Sequence, residues 1–184
     1  SISADEDWDE RVKTWGRLVG YIDCLNSNRE EELLGYFLET IADGEEGSEQ
    51  LDLKLIDDTI RTTLPSFRRV FFEQAEKRLF VELDDSRLLP LDLLPEGYRV
   101  AISMVADITL RAALLNPHFG LKAPARTDGL VLIDEIDLHL HPKWQRRIVE
   151  DLKTLFPRVQ FVTTTHSPFI IQSLREGELI NLDP

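Results

Sequence analysis

Two adjacent carboxylates at the end of an apolar run are the residues in this 184-residue chain best placed to do chemistry. Gly129-Leu130-Val131-Leu132-Ile133 is followed at once by Asp134-Glu135. Four consecutive aliphatic residues predict a strand buried on both faces, with the two carboxylates at its carboxyl end. Carboxylates placed there are able to hold a divalent cation and to accept a proton from a water. Adjacency suits those two tasks, because the two side chains must serve different points. The same residues also fit a strand followed by an ordinary polar turn. Downstream, His139-Leu140-His141-Pro142 opens a predicted helix, with Pro142 in its first turn, where a missing N–H costs nothing. Thr163-Thr164-Thr165-His166-Ser167-Pro168 then sets an imidazole just past the next apolar segment. His139 and His141 could also form a metal pair, and with His166 the site of a metal-dependent hydrolase.

The pattern around these groups supplies the elements to hold them. Strands at 129–133, 159–163 and 178–181 alternate with a helix over 142–156 and a short one over 169–174. That alternation predicts an α/β fold with a mostly parallel sheet. Such a sheet presents functional groups at the carboxyl ends of its strands, where the residues above fall. A long helix over 96–115 places Ile102, Val105, Ile108, Ala112 and Leu115 on one face, and Asn116-Pro117 ends it. Residues 69–73, 79–83 and 87–91 predict a short antiparallel segment. Ahead of it, amphipathic helices are expected at 7–26, 29–42 and 51–63, with a charged connector at 44–48. The reading divides the chain into an acidic helical arm, 1–63, and an α/β lobe, 64–184.

Charge separates the same two parts. Residues 1–60 carry 17 acidic and 5 basic side chains, whereas the rest is nearly balanced, within a total of −13. An acidic block repels phosphate backbones, which argues against non-specific DNA binding by this half and leaves a solvated surface or a docking face for a basic partner. No run of 18 apolar residues is present to span a membrane. The opening SISADEDWDE is the reverse of a leader peptide, and the lone Cys24 has no internal disulfide partner. Both features suit a cytoplasmic protein.

The order of Asp134-Glu135, the LHLHP segment, a helix, a strand and the TTHSP segment resembles the ABC-type ATPases of the RecF, SMC and OLD-nuclease kind. The resemblance is closer to small bacterial virulence- or defence-associated ATPases, including those found beside retrons and in Septu-type systems, and it covers about residues 64–174. It implies the C-terminal lobe of a P-loop NTPase. Asp134 is then the Walker B carboxylate on Mg²⁺, Glu135 the general base, and His166 the switch histidine at the γ-phosphate. His139 to Pro142, including His141, would occupy the interface loop. Pro95, Glu96, Gly97 and Tyr98 stand where this group carries a signature motif that holds the nucleotide of the opposite subunit. Pro95 replaces the usual serine, a loss of about 1 kcal/mol for one neutral hydrogen bond. Gly97 and the helix N-terminus would keep an anion site.

No glycine in the chain is followed by lysine, so the phosphate loop GxxxxGK[ST] is missing. The resemblance therefore implies the catalytic half of an ATP-driven, dimerising switch. Such a switch would work with an effector such as a nuclease or a reverse transcriptase, and this half alone would bind ATP weakly or not at all. The alternative is a regulatory module that binds partners and hydrolyses nothing.

Overall fold

The structure, a computed structural model, describes residues 49–182 except 65, 74 and 77. The helices expected at 7–26 and 29–42, the 44–48 connector and Cys24 lie outside the described residues.

Helix α1, Glu49–Thr63, turns Leu55, Ile56 and Ile60 inward, each at most 2 % exposed. Its buried hydroxyls are satisfied locally: Thr59 donates to the Leu55 carbonyl and Thr63 to that of Thr59. Asp57 on the same helix accepts the N–H of Val70 at 2.7 Å, which ties α1 to the first strand. Strands β1 (Phe67–Glu73), β2 (Arg78–Leu83) and β3 (Leu88–Pro90) form an antiparallel sheet in that order. Val70 and Val81 face each other across it, both buried. Helix α2, Glu96–Leu115, buries Ile102, Val105, Ile108 and Ala112 as its periodicity requires. Ile102, Val105 and Ile108 each contribute about 1.5–3 kcal/mol through burial. Ile56 and Ile60 belong to the same core as Ile102, Val105 and Ile108, so α1 packs with the lobe although it lies on the arm side of position 63.

A short helix, α3 (Ala123–Arg126), leads into the second sheet, made of β4 (Gly129–Ile133) and β5 (Val159–Thr163). They pair in parallel, with Leu130 opposite Gln160 and Leu132 opposite Val162. This sheet corrects one expectation. Val131, Ile133, Val159 and Phe161 pack on the core, but Leu130, Leu132 and Val162 are 59, 66 and 50 % exposed. The apolar run is therefore covered on one face rather than two among the described residues.

Two further differences have local causes. The helix expected over 142–156 is broken into α4 (Pro142–Gln145) and α5 (Ile148–Leu155). Arg147 takes φ −131°, and its N–H closes a three-residue turn on Trp144 rather than continuing the α-helical ladder. The strand expected at 178–181 is absent. Glu178 turns back, its N–H on the Arg175 carbonyl and its carboxylate on Lys153 and the Arg175 N–H. These contacts also hold the Glu178 carboxyl below its ordinary pKa, the Lys153 hydrogen bond first. The last helix, α6, is one turn, Pro168–Ile171.

Candidate functional site

Asp134 and Glu135 stand at the carboxyl end of β4, and the chain leaving β5 runs alongside them. Backbone bonds continue past the strand ends, from the Thr164 N–H to the Ile133 carbonyl and from the Ile136 N–H to the Thr164 carbonyl. One hydroxyl then serves both carboxylate residues: Thr164 Oγ1 accepts the N–H of Glu135 at 2.7 Å and donates to Asp134 Oδ1. Glu135 sits at φ 50° and His139 at φ 60°, the left-handed region that non-glycine residues seldom occupy. Each costs about 1–3 kcal/mol and persists only where surrounding bonds enforce it. Both carboxylate residues remain exposed to solvent.

His166 is also exposed and is held through its backbone. Asp137 Oδ1 accepts both the Thr165 hydroxyl and the His166 N–H. Gln145 on α4 completes the junction. Its Nε2 donates to the carbonyls of Asp137, at 3.0 Å, and Leu140, at 2.9 Å, while its Oε1 accepts the Ser167 hydroxyl at 2.8 Å. Ser167, only 5 % exposed, in turn accepts the Phe169 and Ile170 N–H groups at the start of α6. The loops carrying Asp134-Glu135 and His166 are thus joined by at least five named bonds. Thr164, Thr165, Asp137, Gln145 and Ser167 escaped the sequence reading. The hydroxyl-rich run around His166 was the one signal that could have found some of them.

The signature-like residues open α2, and they pack against the same loop. A Cβ on Gly97 would lie 2.6 Å from the His139 carbonyl oxygen, so the close approach that requires glycine here is internal. Glu96 Oε1 meets His139 Nδ1 at 3.2 Å. Pro95 precedes the helix as its cap residue, with no side-chain bond. Tyr98 turns inward: its ring packs edge-on against Trp144 at 4.1 Å and Phe67 at 5.4 Å, and its N–H already bonds the Pro95 carbonyl. His141 caps α4, Nδ1 accepting the Lys143 N–H. His139 and His141 therefore engage different partners. Among the described residues no group of three or more His, Cys, Asp or Glu side chains is arranged to hold a metal. A single strand-end carboxylate suits Mg²⁺, which takes one or two protein carboxylates and completes its shell with phosphate oxygens and water.

The fold is similar to that of the SMC ATPase heads. A solved structure described under ATP-driven dimerisation and DNA-stimulated activation of SMC ATPases superposes with a TM-score of 0.51. It is 14 % identical and covers 68 % of this chain and 73 % of that one. The chain belongs to the family described as "AAA domain, putative AbiEii toxin, Type IV TA system", which matches residues 3–172. It is similar to the Retron Vc95 probable ATPase of Vibrio cholerae serotype O1 biovar El Tor, at 35 % identity over 68 % of this chain. It is also similar to the Retron Ec83 probable ATPase of Escherichia coli, at 38 % over 66 % of this chain. The Septu protein PtuA of Bacillus mycoides (strain KBAB4) matches at 42 % over 48 % of this chain and 12 % of its own length. The chain spans about a quarter of the length of the two retron proteins, 24 % and 22 %. Among the described residues no helix is long and apolar enough to cross a membrane.

Proposed function

We propose that this chain is the catalytic half of an ATP-hydrolysing, dimerising switch. The observation that carries the reading is the junction at the ends of β4 and β5, where one threonine hydroxyl fixes Asp134 and Glu135 beside the segment bearing His166. In this reading Asp134 holds the Mg²⁺ that accompanies ATP, Glu135 takes the proton of the attacking water, and His166 contacts the γ-phosphate. Two copies sandwich two nucleotides, and the first turn of α2 with Pro95, Glu96 and Gly97 faces the nucleotide bound by the other copy. His141 lies in the loop beside that interface. Tyr98 supports the helix from within, since its ring and N–H are both engaged.

The phosphate-binding loop is supplied by a second lobe of the full-length protein. Leu130, Leu132 and Val162, an open apolar strip beside the carboxylates, support that arrangement. Nucleotide binding closes the dimer and hydrolysis opens it, which drives an effector such as a nuclease or a reverse transcriptase in anti-phage defence in the bacterial cytoplasm.

An ATPase assay on the full-length protein tests the reading. Glu135→Gln is expected to bind ATP as before and to lose about 10²–10⁴ in turnover, the range of a general base. Equal turnover in Glu135→Gln removes that residue from the role. No turnover in the wild type leaves the regulatory alternative standing.

A further inference from the structure

We propose that Gln145 is a positioning residue that locks the loop bearing Asp134 and Glu135 to the loop bearing His166, so that the two sets of groups move as one body. The inference rests on the ATPase reading for its consequence in rate, and on geometry alone for the lock itself.

Gln145 engages both ends of its amide. Both N–H bonds of Nε2 go to main-chain carbonyls on the 134–141 side, those of Asp137 and Leu140. Its oxygen accepts from Ser167 on the other side. That assignment has one consistent orientation, because carbonyls only accept and the serine hydroxyl can donate. Ser167 passes the constraint on by accepting the first N–H groups of α6. Asp137, whose carbonyl Gln145 holds, binds the Thr165 hydroxyl and the His166 N–H through its carboxylate. Gln145 therefore braces both anchors of His166, Asp137 before it and Ser167 after it.

The break in the helix belongs to the same device. The turn at Arg146-Arg147 separates the one-turn α4 that carries Gln145 from α5. Trp144 beside it packs on Tyr98 at the start of α2, which extends the brace to the signature-like turn. No side chain of similar size reproduces the function. Glutamate could not donate to the two carbonyls, and methionine could neither donate nor accept strongly.

The test uses the full-length protein and two readouts. Gln145→Ala is expected to lower kcat about 10–100-fold with KM for ATP changed less than about twofold, as displacement of positioned groups by about 1 Å does. In a His166→Ala background the same change should cost less than about twofold, because residues that act through one another are not additive. A loss of equal size in both backgrounds, or an unchanged kcat, overturns the positioning role. Hydrogen exchange reads the lock without reference to hydrolysis. The N–H groups of Leu140, His166, Phe169 and Ile170 should exchange at least about tenfold faster in Gln145→Ala, with those of Ile102 and Val105 unchanged. Unaltered exchange at the four sites overturns the lock. An inactive wild type would instead strike the ATPase reading alone.

Discussion

Asp134 and Glu135 are held by the hydroxyl of a residue far away in the chain. Thr164 lies 30 residues from Asp134 and meets it only once β4 and β5 pair. The same is true of Gln145 and Ser167, polar residues whose partners are set by folding rather than by spacing. Gly97 is fixed by close packing rather than by a hydrogen bond. Its place in the signature-like turn suggests room for a phosphate, whereas the atom it makes room for within this chain is the His139 carbonyl oxygen. A methyl group at 2.6 Å from a backbone oxygen cannot be absorbed by a flexible side chain. Gly97→Ala should destabilise the protein by about 1–3 kcal/mol, the usual cost of overpacking. Urea unfolding checks this, with Glu96→Ala as the comparison, since the exposed Glu96–His139 pair is worth less than about 1 kcal/mol. Equal midpoints for Gly97→Ala and wild type would refute the close approach.

At the scale of elements, the agreement is best where one face decides. Helix α2 matches its expected bounds because Ile102, Val105, Ile108 and Ala112 recur at helical spacing and all are buried. The break between α4 and α5 could not be read, since Gln145, Arg146 and Arg147 are all good helix formers and no proline or glycine marks the turn. Strand β4 was legible as a strand, but its sequence could not reveal which face would be open, because apolar residues occupy both. The exposed Leu130, Leu132 and Val162 form a contiguous strip on neighbouring strands. Left uncovered, such a strip favours association, and covered by a second lobe it is core. Leu132→Ser should therefore make this chain alone more soluble. In the full-length protein it should cost about 2–5 kcal/mol of stability, as loss of a core leucine does. Thermal unfolding of both forms measures the contrast. A full-length Leu132→Ser protein as stable as the wild type would mean that the strip stays bare.

The whole molecule, seen through its described part, is a lobe with its candidate site residues gathered at one end. The first turn of α2, the loop after β4 and the loop after β5 all meet there through Gly97, Gln145 and Thr164. Two left-handed residues, Glu135 and His139, bound the central loop, and their strain is held by those contacts. We propose that this end receives a magnesium-bound triphosphate. A structure of the full-length Glu135→Gln variant with ATP and Mg²⁺ tests it most directly. The account predicts Asp134 on the metal or on one of its waters, with residue 135 and the His166 imidazole turned to the γ-phosphate. Nucleotide seated away from the carboxyl ends of β4 and β5 would contradict it.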